Sequence, residues 1–296
     1  VLFAPGGNSP RHALKGFTIT AALRRGAVTE LIILLMLNFG VIGLGNLAES
    51  LIPVLKRQGK VLQIFSRDPL RAKLVAEKYD IPLHGTDYSE LSPFLDVLFL
   101  TVRDEAIRAV AGRLKSMVAG GDTVVVHCSG AASLAELEDL GKKTGVFYPM
   151  QTASRTRAVD YSQSPIFLEG DDEVLKVLLP LARGISSWVY VMSSEQRLRV
   201  HVGAVFMSNF VNYFAQCAEQ LVADFGLDHR IYLPLLQETV DKLHSLSPKA
   251  AQTGPARRGD RETILKHFSL LEKFDPELAG LYHAVSRRIM AMYRST

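Results

Sequence analysis

Gly43, Gly45 and Ala48 stand in a G-x-G-x-x-A pattern, directly after the apolar run Phe39–Ile42 and at the head of a helix-forming stretch. In that setting the first glycine allows a tight turn, the second lets backbone approach a pyrophosphate, and the small third residue lets helix pack closely on strand. The N–H groups of Asn46 and Leu47, at the positive end of the helix, would face the phosphates. About 20 residues further on, an acid would hold the ribose 2′-hydroxyl of NAD. This chain has Ser66-Arg67 there instead. A hydroxyl and a guanidinium suit a 2′-phosphate, because arginine offers paired charge-assisted hydrogen bonds, so the expected nucleotide is NADP. Asp68 follows at once and is expected to cap the next helix, pointing away.

Other polar residues fall where strands should end, which is where open α/β sheets bind ligands. Thr101-Val102-Arg103-Asp104, His127-Cys128-Ser129-Gly130 and Tyr148-Pro149-Met150-Gln151-Thr152 are three such ends. His127 either does chemistry there or is satisfied by neighbouring backbone. Ser129-Gly130 either presents a hydroxyl to a substrate or simply makes a strand–helix turn. Cys128 reads as packing, since a thiol without a placed base is no nucleophile. Further on, His201, Ser208 and Asn212 share one stripe at helical spacing, with Asn209 adjoining, among Val202, Val205, Phe206 and Phe210. A polar stripe on an apolar helix needs a hydrogen-bond network or a cavity. In a cavity, His201 could exchange a proton and Asn209 could hold a carbonyl oxygen. The Gly/Pro-rich loop Thr253–Asp260 offers Arg257 and Arg258 to an anion, or is a solvated connection.

The elements that must position these residues follow from hydrophobic patterning. Strands are expected at 37–42, 61–66, 96–102, 123–127, 145–148, 166–169 and 188–192. Several are continuous apolar runs, as in strands buried on both faces. Between them stand helix starts: Asp68-Pro69, Asp104, Ser133 with Glu136, and Asp171-Asp172. This is an α/β fold with a Rossmann-type parallel sheet, followed by an all-helical C-terminal domain. The expected helices there are one long stretch from about 195 to 225 stopped by Gly226, then 228–245, 261–273 and 276–293. The expected division is residues 1–35 as a leader outside the fold, 36–192 as the NADP-binding domain, and 193–296 as a helical substrate and dimerisation domain.

Of the net charge of +4, residues 1–35 carry +3 and the rest +1, so no nucleic-acid-binding surface is implied. Met36 is the expected natural start. No segment reaches membrane-spanning length. Cys128 and Cys217 lack disulfide or metal spacing, so a reduced cytoplasmic protein without a metal is expected.

From Met36 onward the chain resembles the Rossmann-like, coenzyme-dependent NADP oxidoreductases. These are distant relatives of pyrroline-5-carboxylate reductase, ketopantoate reductase and 6-phosphogluconate dehydrogenase. Gly43–Ala48, Val102–Ile107, His127–Gly130, Phe147–Thr152, His201 through Asn209 and Thr253–Asp260 carry the resemblance. It implies NADP binding, a homodimer formed through the helical domains, and an active site in the cleft between domains. Carried over by position, Gly43, Gly45, Asn46 and Leu47 would touch the pyrophosphate, and Ser66 and Arg67 the 2′-phosphate. Val102 would lie by the cofactor. His127, Ser129, His201 and Asn209 would form the catalytic end, with Gln151, Asn212 and Arg258 near a small-molecule substrate. Tyr148 departs from the family, which commonly has His before the proline, and specificity is expected to differ accordingly. The expected activity is NADPH-dependent reduction of a small carbonyl or imine, with His201 as proton donor and Asn209 and Ser129 orienting the reducible group. A non-catalytic NADP(H) sensor and a deazaflavin:NADP oxidoreductase are the alternatives.

Overall fold

The computed structural model describes residues 37–154, 157 and 159–293. The expected leader lies outside the described residues. The apolar runs form strands β1 Asn38–Ile42, β2 Lys60–Phe65, β3 Leu83–Gly85, β4 Val97–Leu100, β5 Val124–His127, β6 Thr144–Pro149, β7 Ile166–Glu169 and β8 Val189–Val191. They make one sheet in the order β3-β2-β1-β4-β5-β6-β7-β8. Every neighbouring pair is parallel except β6 with β7, which run antiparallel. β3 was not anticipated. It is three residues long and its Leu83 and His84 side chains are exposed, so it carries no apolar run.

Alternate residues of the central strands enter two different cores. Phe39, Val41, Val97, Phe99 and Val126 point to one face, while Ile42, Leu98, Leu100 and Val125 point to the other. Both faces are covered, which is why these strands read as continuous apolar runs. Phe99 meets Phe39 and Phe147 edge-on, with ring centroids 6.0 and 5.5 Å apart.

The helices around the sheet are α1 Asn46–Leu55, α2 Pro69–Tyr79, α3 Ile107–Val118 and α4 Asp172–Ile185. Asp68 caps α2 as expected, accepting from Leu70 N at 2.9 Å and Arg71 N at 3.2 Å. Asp171 caps α4 through Val174 N at 2.9 Å. Ser133 heads a 3₁₀ segment, Leu134–Leu140, in place of an α-helix.

The C-terminal helices are α5 Ser194–Met207, α6 Asn209–Gln220, α7 Leu233–Ser245, α8 Arg261–Phe274 and α9 Pro276–Tyr293. The expected single helix from 195 to 225 is interrupted at Ser208, whose φ of −128° and ψ of −68° leave the helical region. The stripe linking His201, Ser208 and Asn212 is therefore broken. The loop after α7 holds two single helical turns, Pro248–Ala251 and Pro255–Arg258.

The chain forms two compact units, which divide between Val205 and Phe206. This lies past the 192/193 position where the strand pattern ends, because α5 is tied to the sheet unit by Arg197 and His201. In the second unit α8 and α9 pack together, burying Ile264, Leu271 and Ala279. No helix among the described residues is long and apolar enough to cross a membrane.

Candidate functional site

The glycine turn lies between β1 and α1. Gly43 has a φ of +94°, where side chains are strained, and a Cβ there would stand 2.8 Å from Val102 Cγ1. The turn is clamped by Gly43 N donating to Phe65 O at 2.9 Å and Thr101 Oγ1 donating to Gly43 O at 2.6 Å. Gly45 is the opposite case, since among the described residues nothing lies within 4 Å of where its Cβ would be. It is the N-cap of α1, so the N–H groups of Asn46 and Leu47 have no acceptor within the helix. Free donors beside an open face are what an anionic pyrophosphate requires.

The open face continues into a cavity of about 360 Å³ lined by Gly43, Gly45, Ser66, Arg67, Tyr88 and Val102, among others. Ser66 Oγ accepts from Asp68 N at 3.2 Å. Asp68 also borders the cavity, but its carboxylate is committed to α2. Sequence reasoning missed Tyr88, which stands after β3 with no local motif. Arg113 lies 4.4 Å over its ring. Burial pushes the Tyr88 hydroxyl pKa up, and the positive charges of Arg113 and Arg67 oppose this. The residues present thus fit a nicotinamide dinucleotide, with the Arg67 guanidinium lining the same cavity as the glycine turn.

A second group gathers at the ends of β5 and β6. His127 is fully buried. Its Nδ1 accepts from Ser129 N at 3.2 Å, which leaves the proton on Nε2. Among the described residues that nitrogen has no hydrogen-bond partner in normal geometry, although Ser133 backbone favours the charged ring. Burial, reinforced by the charge of Arg197, lowers the His127 pKa to about 4. The ring is thus neutral, enclosed and bonded to the turn that follows β5. Ser129 likewise serves its turn, its Oγ accepting from Ala131 N at 3.0 Å and Ala132 N at 2.9 Å.

Tyr148 and His201 meet here. Tyr148 Oη and His201 Nδ1 are 3.1 Å apart, with the rings edge-on at 5.8 Å. Gly130 makes the approach possible. A Cβ on it would lie 2.5 Å from His201 Nδ1 and 2.7 Å from Tyr148 Cζ. Tyr148 is held from the other side by Phe167, stacked at 5.9 Å, which in turn stacks on Tyr190 at 5.5 Å. This ladder follows the register Tyr148–Phe167–Tyr190 across β6, β7 and β8.

One helical turn before His201, Arg197 is completely enclosed. Its guanidinium pairs with Glu169 at the end of β7, donates to Ala132 O, and lies 3.3 Å from Ser194 Oγ. It therefore fixes α5 to the turn after β5. In sequence it is one polar helix residue among several, and only its burial distinguishes it.

The remaining expected residues are Gln151, Asn209, Asn212 and Arg258. Gln151 is exposed and locally bonded, its amide donating to Ser164 Oγ at 3.1 Å and its Oε1 accepting from Thr152 N at 2.8 Å. Asn209, Asn212 and Arg258 belong to the second unit and are exposed there. Arg258 lies 3.9 Å from Asp260. Arg257 donates to Gln252 O at 2.6 Å and lies 5.5 Å from the Tyr293 ring.

Residues 38–130 match a family model described as NADP oxidoreductase, coenzyme F420-dependent. Residues 164–289 match a domain of unknown function, DUF2520. Among solved structures, a candidate NADP oxidoreductase from Bacteroides fragilis is 35% identical, with 86% of this chain and 98% of that one covered and a TM-score of 0.77. Protein TM1727 from Thermotoga maritima is 26% identical over 87% of this chain and 98% of that one, with a TM-score of 0.63. An imine reductase from Streptomyces aurantiacus shares the fold at 15% identity, covering 86% and 95% with a TM-score of 0.60. Among curated proteins none matches.

Proposed function

The chain belongs to the Rossmann-like NADP oxidoreductases, and from that premise we propose that it reduces a small carbonyl or imine compound with NADPH. The observation that carries the cofactor choice is at the end of β2. Ser66 and Arg67 line the cavity, while the adjacent acid, Asp68, spends its carboxylate on the N–H groups of α2. A free carboxylate would repel a 2′-phosphate, and a guanidinium would hold it. The bound dinucleotide would supply hydride; the protein orients it and manages the proton. Gly43, Gly45, Asn46 and Leu47 would hold the pyrophosphate, with Val102 beside the ring system. The proton side falls to the Tyr148–His201 end of the sheet unit.

Titration with NADPH and with NADH, followed by the fluorescence of Trp188, tests this reading. NADPH is expected to bind at least about 10-fold more tightly, and Arg67→Ala to erase the difference, since a charge-assisted pair is worth about 1.5–3 kcal/mol. Equal affinity for the two, or binding of neither, overturns it. The F420 named by the matched family supports a second reading, hydride exchange between NADP and a deazaflavin. NADPH oxidation by a deazaflavin, and by no carbonyl or imine, would select it.

We further propose a homodimer formed through the second unit. Phe206, Phe210, Phe214, Leu235, Leu265 and Phe274 are large, apolar and exposed there, and exposed apolar surface is what a partner would cover.

A further inference from the structure

We propose that the Tyr148 hydroxyl is the catalytic proton donor of the reduction, and that His201 acts through it as the positioning residue that restores its proton. This rests on the reductase reading above.

The ends of β5 and β6 offer a short set of groups that could pass a proton, and the geometry removes most of them. His127 is enclosed and neutral. Cys128 is buried, and its thiol pKa is pushed far up by burial. The Ser129 oxygen already accepts from two backbone N–H groups. Tyr148 and His201 remain, and they are bonded to one another at 3.1 Å. Within that pair, His201 Nδ1 is turned onto Tyr148 and packed against Gly130. A proton on Nδ1 would therefore lie against the phenol oxygen. Tyr148 is only partly enclosed, and the stack on Phe167 fixes its ring at the ligand-binding edge of the sheet.

The surrounding charges favour the same assignment. Burial raises the Tyr148 pKa, keeping the phenol protonated and ready to donate, and Asp104 adds to this. The enclosed cation Arg197 works in the other direction. It stabilises the phenolate that exists for the moment after transfer, an electrostatic support already in place before the reaction.

The step balances. Hydride, with its electron pair, comes from the dihydronicotinamide to the substrate carbonyl carbon, and the C=O π pair moves onto oxygen. That oxygen takes the proton of Tyr148 Oη, giving the alcohol; an imine nitrogen would be protonated in the same way to the amine. The phenolate left behind takes the proton that His201 Nδ1 holds against it. Solvent water returns one proton to the ring, so the sum is substrate, NADPH and one proton giving reduced substrate and NADP⁺.

The test has an arm without turnover and an arm with it. Ultraviolet difference titration of tyrosine ionisation is run on wild type, Tyr148→Phe and His201→Phe. The step lost in Tyr148→Phe belongs to Tyr148, and it is expected to move to higher pH in His201→Phe, where the phenolate has lost its donor. NADPH oxidation is measured with pyruvate and with 1-pyrroline. In Tyr148→Phe, kcat is expected to fall at least about 100-fold, the range of general acid catalysis, with KM and NADPH affinity within about threefold of wild type. His201→Asn, which keeps a donor near Oη, is expected to lose less than His201→Phe. A Tyr148→Phe variant within about threefold of wild-type kcat overturns the proposal and leaves the reductase reading intact. A wild type that binds NADPH but reduces neither probe counts against the reductase reading. The titration then decides alone: an unmoved Tyr148 step in His201→Phe overturns the pair, and a shifted one supports it.

Discussion

Arg197 and Glu169 form an ion pair in which the arginine side chain is 0% exposed and the carboxylate 18%. The pair joins α5 to the end of β7, and through Ala132 O the same guanidinium reaches the turn after β5. An enclosed cation stripped of its partner, or a partner stripped of its cation, is costly, whereas a pair replaced by apolar groups of similar volume is tolerated.

Arg197→Met is therefore expected to lower unfolding stability by about 3–5 kcal/mol. The double variant Arg197→Met with Glu169→Leu should recover a large part of that loss. Urea unfolding of the two singles and the double gives the coupling energy directly. An additive cycle would show that the pair does not hold α5 to the sheet.

His127 makes a prediction in pH. Its pKa is lowered from 6.5 to about 4 by burial, with the charge of Arg197 adding to the effect. The unfolded chain thus binds a proton that the folded chain refuses between these values. Stability from this group is complete above about pH 6.5 and is lost as pH falls towards 4, a change of about 3 kcal/mol. Urea midpoints across that window should fall more steeply for wild type than for His127→Asn. Parallel curves for the two proteins, or an NMR titration of His127 near 6.5, would contradict the enclosed neutral ring.

The two glycines of the nucleotide turn should separate cleanly. Gly43→Ala places a side chain at φ +94° against Val102, costing about 1–3 kcal/mol of stability and the binding site with it. Gly45→Ala meets nothing in the free protein and should cost less than about 1 kcal/mol. Its NADPH affinity should nonetheless fall at least about 10-fold, because the new methyl occupies the approach of the pyrophosphate. Denaturation and NADPH titration on both variants check this, and a Gly45→Ala protein that binds normally would remove the pyrophosphate from that face.

For the helical unit, Leu235→Glu replaces an apolar side chain that is 68% exposed in the single chain. Wild type is expected to sediment as a dimer at micromolar concentration and the variant as a folded monomer. A wild type that sediments as a monomer would refute the dimer.

The nucleotide turn was legible because all its signals are local: Gly43, Gly45 and Ala48 sit beside the strand and helix that use them. The caps at Asp68 and Asp171 were legible for the same reason, each lying within three residues of the N–H it serves. The meeting of Gly130, Tyr148 and His201 was not, because it depends on the pairing of β5 with β6 and on where α5 lies. The bend at Ser208 was hidden too, since neither Gly nor Pro marks it. The enclosure of His127 was not legible either, because a strand-end position is readable from sequence while the degree of burial is not.

β1 lies between β2 and β4, and the turn that follows it is closed by Thr101 and Val102, which come after β4. The glycine turn leaves the ribosome before β4, yet it cannot take its final form until the β4 strand has also emerged and threaded in beside β1. Nascent chains ending before Thr101 carry every glycine of the motif without the clamp that shapes it. Nucleotide capture is thus postponed by the topology to a later point in synthesis than the motif's place in the chain suggests.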